Sequence, residues 1–172
     1  MNITAYARAT LGALALSVLA GCGGTTNFTV EEDIEINGTG GASNSISVNL
    51  ADLAGDAWKH RDKIKDAKIT SAVATIKTVH GDNTATTVAG EAAVARNGSE
   101  SVFAAGTVGP PLSVGLVHPA QNLDATAKIL KDALKDDGLL SVSYTATPTP
   151  AGAKTHLTVT VLIDVEVEWS LF

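Results

Sequence analysis

Residues 157–169, Leu-Thr-Val-Thr-Val-Leu-Ile-Asp-Val-Glu-Val-Glu-Trp, decide the fold class. The odd positions are all apolar: Leu157, Val159, Val161, Ile163, Val165, Val167 and Trp169. The even positions are Thr158, Thr160, Leu162, Asp164, Glu166 and Glu168. Successive side chains of a strand point to opposite faces, so this alternation predicts one long strand with a buried face and a wet face.

Working back along the chain, the same logic recurs. Pro148-Thr149-Pro150-Ala151-Gly152 reads as the loop feeding this strand, and Leu140, Val142, Tyr144 and Ala146 alternate with Ser141, Ser143 and Thr145 before it. Near the start, Phe28, Val30, Ile34 and Ile36 share one parity and Thr29, Glu31, Asp33 and Glu35 the other, with Glu32 breaking the apolar side. Ile46, Val48 and Leu50 suggest a shorter strand, and Lys68–Val79 a β-branched one ending at the turn His80-Gly81-Asp82-Asn83. Thr86–Ala95 and Ser101–Val108 flank Arg96-Asn97-Gly98-Ser99. Asn-Gly between two such runs predicts a hairpin, because both residues tolerate positive φ. Leu112–Val117 is a further candidate strand.

Two segments carry a helical period. In Asn49–Arg61 the residues Leu50, Leu53, Ala54, Ala57 and Trp58 recur on one face, around an unfavourable Gly55. In Leu123–Asp137 the residues Leu123, Ala127, Leu130, Ala133 and Leu134 do so, with Gly138 placed as a C-terminal stop; a strand over Leu123–Ile129 fits the pattern equally. About eight strands with one or two short helices predict a mainly β chain, a single antiparallel β-sandwich.

Residues 1–21 read as a removable leader: Arg8 near the amino terminus, then the apolar run Leu11–Ala20. That run is too short to span a hydrocarbon core, which takes about 20 residues of helix. It ends in Leu19-Ala20-Gly21-Cys22, which resembles the lipobox of bacterial lipoproteins. Cleavage by signal peptidase II and acylation of Cys22 are what the resemblance implies, and Cys22 is the chain's only cysteine. The implied organisation is a signal peptide at 1–21, a lipidated cysteine and short tether at 22–27 and a β-sandwich domain at 28–172. Two or more acyl chains hold a protein stably to a bilayer. The implied partner is thus a membrane, and Gly23, where sorting rules would place a retaining aspartate, favours the outer membrane. The order of features after the leader resembles β-sandwich domains of uncharacterised lipoproteins: an acidic first strand, Asp62-Lys63-Ile64-Lys65-Asp66 before a strand, and an acidic last strand.

The charge balance narrows the function. The sequence has 12 Lys and Arg against 18 Asp and Glu, net −6. With Arg8 in the leader, the rest is more acidic still. That argues against a nucleic-acid partner, which needs a basic footprint. One cysteine leaves no disulfide framework. Seven acids cluster in the two terminal strands. Glu31, Asp33 and Glu35 form one row, Asp164, Glu166 and Glu168 the other, and Glu32 stands on the apolar parity. Like charges facing across paired strands repel. Either these strands do not pair, or a cation or basic residues lie between the rows. The six row residues are thus candidates for a divalent cation such as Ca²⁺, which takes six to eight oxygens, or for a cationic partner; solvated faces matched by Lys63, Lys65 and Lys68 are the alternative.

No catalytic constellation is legible. Neighbouring carboxylates on a wet strand face have nothing to raise a pKa into a working range. His60, His80, His118 and His156 show no metal-ligand spacing, and no Gly-x-Ser-x-Gly elbow or phosphate loop occurs. Phe28, Trp58, Tyr144 and Trp169 fall on apolar sides and read as core. The expectation is a non-enzymatic, cofactor-free structural or interaction module of the cell envelope, with ligand binding at the acidic rows as the alternative.

Overall fold

The computed structural model describes residues 23–170 as two four-stranded antiparallel sheets packed face to face, with helices at the margins. The strands are β1 (Gly23–Thr39), β2 (Ala42–Asn49), β3 (Ile64–Val79), β4 (Thr87–Arg96), β5 (Ser99–Val108), β6 (Val117–His118), β7 (Leu139–Thr149) and β8 (Lys154–Ser170). One sheet has the order β1-β8-β3-β6, the other β2-β7-β4-β5. The expected sandwich is the observed one.

β8 behaves as its alternation requires: every odd residue from Thr155 to Trp169 is buried. It lies in the interior of its sheet, antiparallel to β1 on one side and to β3 on the other. Val161 pairs with Glu32 of β1 and Ala74 of β3. The opposite sheet presents Val88, Ala92, Val94, Val142, Tyr144 and Ala146, and the core fills the gap between the two inner faces. Asn97 and Gly98 both have positive φ, 49° and 79°, and close the β4–β5 hairpin as the Asn-Gly pair predicts.

Several expectations need correction. β1 begins at Gly23, so residues 23–27, expected to form a tether, are paired with β8 from Gly23–Ser170 to Asn27–Glu166. The helical segment 49–61 is two single turns, α1 (Leu50–Leu53) and α2 (Asp56–Lys59), followed by a 3₁₀ turn at Arg61–Lys63. Gly55 at φ +49° separates the two turns, and the Asn49 side chain caps the first by accepting from the Ala51 N–H at 3.1 Å. Leu50 accordingly belongs to a helix and not to β2. Leu112–Val117 is not a strand: a turn with Gly115 at φ +86° occupies it, leaving only Val117 and His118 to pair with Thr75 and Ala74.

The ambiguous segment is a helix, α3 (Leu123–Leu134), burying Thr126, Ala127, Ile129, Leu130, Ala133 and Leu134. It packs along the open side of the sandwich between β3 and β5. Gly138, at φ +78°, returns its N–H to the Ala133 carbonyl at 2.9 Å and ends the helical run.

Candidate functional site

The outer face of the β1–β8–β3 sheet gathers the acids that the sequence singles out. Between β1 and β8 the rows avoid each other by register, although on the other side of β8 Asp66 of β3 stands opposite Glu168. β1 and β8 pair side by side, but Glu31, Asp33 and Glu35 stand opposite Leu162, Thr160 and Thr158, while Asp164, Glu166 and Glu168 stand opposite Thr29, Asn27 and Thr25. The two rows are displaced along the strands, so every row carboxylate except Glu31 faces a hydroxyl or an amide. Two of those hydroxyls donate across the pair: Thr160 to Asp33 Oδ1 and Thr29 to Asp164 Oδ1, each at 2.6 Å. Lys77 of β3 reaches over β8 to ion-pair with Asp33. Burial alone would raise the Asp33 pKa, but hydrogen bonds from Lys77 and Thr160, with the lysine charge, hold it below the usual 3.8. Displacement and threonine hydroxyls relieve the repulsion, and basic residues stand beside the rows as well: Lys77 at Asp33, and Lys68 of β3 in register opposite Glu166. Glu31, Glu166 and Glu168 make no ion pair or side-chain hydrogen bond among the described residues.

At the end of the face nearest the β3–β4 turn, residues far apart in sequence converge. The His156 ring lies between two carboxylates, Nδ1 2.5 Å from Asp82 Oδ1 and Nε2 3.1 Å from Glu35 Oε1. His80 stacks on it with centroids 3.9 Å apart and its Nε2 3.1 Å from Thr158 Oγ1. Lys154 Nζ adds a 2.5 Å contact to Asp82 Oδ2. Hydrogen bonds from Lys154 and then His156 hold the Asp82 carboxyl down to about 2. The cluster ties the β3–β4 turn to β1 and β8. Spacing gave no hint of it, because 121 residues separate Glu35 from His156. The one available signal was parity: His156 shares the outward side of β8 with Asp164. No group of three or more His, Cys, Asp or Glu suited to a metal ion occurs among the described residues.

Glu32 points toward the inner face between Val30 and Ile34, half-buried and opposite Val161. Burial, then the adjacent Asp33 charge, pushes its pKa above the usual 4.5. A group whose pKa is raised on folding favours the folded state below its unfolded pKa, and that advantage is lost as pH rises through the folded value. Glu32 therefore opposes folding at neutral pH. Glu32→Gln is expected to raise stability at pH 7 by roughly 0.5 kcal/mol, the scale of a half-exposed site, with the gain vanishing below about pH 4. Urea titrations at both pH values measure this; a destabilised variant at pH 7 would contradict it.

Two other polar places remain. A cleft of about 480 Å³ between α3 and the first half of β3 is lined by Asp66, Lys68, Asp124, Lys128 and Lys131. Its charge is mixed, and Lys131 lies 3.7 Å from Asp66. In the core, fully buried His118 and Tyr144 share a 2.6 Å hydrogen bond between Nε2 and the hydroxyl. Burial lowers the His118 pKa and raises that of Tyr144, so both stay neutral. His60, the fourth histidine, stacks on Trp169 with ring centroids 5.4 Å apart, at the opposite end of β8 from His156. Leu19, Ala20, Gly21 and Cys22 lie outside the described residues, as do Leu171 and Phe172.

No family model and no curated protein sequence matches the chain. Among solved structures, a chain of Desmodium yellow mottle tymovirus is similar at 13% identity and a TM-score of 0.42, covering 95% of this chain and 98% of that one. Turnip yellow mosaic virus, in an empty-head structure, is similar at 14% identity and a TM-score of 0.40, covering 98% of this chain and 93% of that one. At those values the likeness carries no argument about function.

Proposed function

We propose that this chain is a lipid-anchored protein of the bacterial cell envelope, favoured at the outer membrane, whose β-sandwich serves as a non-catalytic structural or interaction module. The observation that carries this reading is the position of the only cysteine. Cys22 ends the lipobox-like Leu19-Ala20-Gly21-Cys22, and Gly23 after it is already the first paired residue of β1. Cleavage and acylation at Cys22 would leave the lipid directly on the end of a sheet. The polar groups that converge elsewhere support a non-catalytic reading, because they are engaged with one another: Asp82 with His156 and Lys154, and Asp33 with Lys77 and Thr160.

The test is Cys22→Ser expressed in a bacterial host. The wild-type protein is expected in the membrane fraction, with a mass showing leader removal and acylation. The variant is expected as an unacylated, uncleaved precursor. Processing and acylation of the variant would refute the anchor.

A second reading, cation binding at the acidic rows, has one observation in its favour: Glu31, Glu166 and Glu168 have no partner among the described residues. A ligand that binds only the native state must raise the melting midpoint. Since the other three row acids are already satisfied within the sheet, millimolar Ca²⁺ is expected to leave the midpoint unchanged. A clear rise would make the rows an ion site.

A further inference from the structure

The end of the sandwich that adjoins Cys22 differs from the rest in charge and in aromatic content. β1 starts at Gly23, and its first pairs set Gly23 beside Ser170 and Gly24 beside Trp169. Across β8, Ile64 pairs with the same Trp169. The chain running into Ile64 therefore lies at the end of the sheet nearest Cys22. Residues 58–68 read Trp-Lys-His-Arg-Asp-Lys-Ile-Lys-Asp-Ala-Lys, five Lys and Arg against two Asp, in a sequence of net charge −6. Lys59, Arg61, Lys63, Lys65 and Lys68 are all exposed.

Both of the chain's tryptophans are here as well. The Arg61 guanidinium sits 4.8 Å over the Trp58 ring, and the Trp169 ring stacks on His60. Trp169 is buried in the core and Trp58 partly so, which leaves the exposed basic side chains as the groups that meet lipid headgroups. The surrounding acids define how such a surface could meet a membrane. Asp56 is paired with Lys59, Asp66 with Lys131, and Asp136 and Asp137 with Arg96. Glu166 and Glu168 are on the flat outer face of the sheet and would repel an anionic layer laid against it. Within the run, Asp66 stands in register opposite Glu168 and Lys68 opposite Glu166, so the part clear of the acidic row is residues 59–65.

We infer that residues 59–65 dock the tip of the sandwich onto the anionic headgroups of the membrane that Cys22 is anchored in, holding the domain end-on with the acidic face turned to the side. This rests on the lipid-anchor reading. Ile64, in register with Trp169, keeps the start of the run at the lipid-bearing end of the sheet, while Lys68, opposite Glu166, lies roughly 10 Å farther along it. Attraction to the headgroups falls off beyond a Debye length, about 8 Å at physiological salt, so the residues up to the start of β3 carry it.

The experiment uses the full-length protein, purified from bacterial membranes and reconstituted in vesicles carrying brominated acyl chains, with or without phosphatidylglycerol. Mass spectrometry of each preparation reports whether Cys22 is acylated. Tryptophan emission reports on the tip alone, since both tryptophans are there. Stronger quenching is expected with phosphatidylglycerol than with phosphatidylcholine alone. The combined variant Lys59→Glu, Arg61→Glu and Lys65→Glu should lose the difference, through a shift of roughly tenfold or more in the docked fraction. The milder Gln substitutions at the same positions should lose part of it, and far-UV circular dichroism confirms that each variant is folded. Acylated protein with the same quenching in both vesicles, unchanged in the variants, overturns the docking and leaves the anchor standing. Protein without acyl chains on Cys22 overturns the anchor and the docking with it.

Discussion

Gly90→Ala is expected to destabilise the domain by about 3 kcal/mol or more, at the upper end of what overpacking costs, and to leave little folded protein in moderate urea. A Cβ at Gly90 would fall 1.9 Å from the Tyr144 hydroxyl, 2.6 Å from Tyr144 Cζ and 2.7 Å from His118 Nε2. None of these atoms can retreat cheaply. Tyr144 and His118 have no exposure, and their 2.6 Å bond satisfies the hydroxyl and one ring nitrogen of a histidine whose other nitrogen, Nδ1, has no regular partner. Moving the tyrosine would break that bond in the core, where an unpaired polar group costs about 1–3 kcal/mol. Tyr144→Phe alone is expected to cost that lesser amount by stranding His118 Nε2. The double variant should be less destabilised than the sum of the two, because both act at one spot, but not restored, since Cζ stays in the way. Urea unfolding of the three variants gives the cycle; a Gly90→Ala protein within about 0.5 kcal/mol of wild type would show that the core yields there.

Val161→Pro is expected to abolish folding, while Ser45→Pro should cost about 1 kcal/mol or less. Proline removes a backbone donor and is tolerated in sheets mainly at edges. Val161 has no edge: Glu32 pairs with it on one side and Ala74 on the other, so whichever way its N–H points a ladder bond is lost, amid a fully buried face. Ser45 is in β2, at the margin of its sheet, and its N–H donates to the adjacent Asn44 side chain at 2.9 Å, a local bond. Circular dichroism and thermal melting of the two variants separate the cases. Equal losses at both sites would argue against an interior β8 and a marginal β2.

Much of this architecture was legible because parity is written locally. β7 and β8 alternate clearly, β1 does so apart from Glu32, and the Asn97-Gly98 pair announces its hairpin. β3 was the least clear of the long strands, for a reason the register supplies. Irregularities at Lys65, Thr70 and Lys77 each insert one residue, and each moves the buried side from even to odd positions or back: Ile64, then Ala67, then Ala72, Ala74 and Ile76. A period-two reading fails across such insertions. Leu112–Val117 misled for the opposite reason, as an apolar run that packs while turning. α3 was ambiguous because Leu123–Ile129 satisfies both periods, and its packing between β3 and β5 resolves the choice.

Of the candidate site, the acidic rows were visible as residues and misjudged as a problem. Their resolution is a displacement along the strands that places Asp33 beside Thr160 and Asp164 beside Thr29. The convergence of Glu35, Asp82, His80 and His156 had no local signature at all, since it depends on where the β3–β4 turn lands.

By itself the sequence determined which face of each regular strand is apolar, hence a two-sheet sandwich, and it carried the lipobox-like Cys22 and the clustered acids. Strand order, register and the meeting of distant polar groups were decided only in the tertiary structure. The physical reason is that side-chain parity is a property of one segment, whereas a strand's partner and offset are selected by hydrogen bonds and packing between segments far apart along the chain. The last strand of the chain therefore runs inside its sheet, and its acids stand opposite Thr29, Asn27 and Thr25 of β1 instead of the acids of that strand.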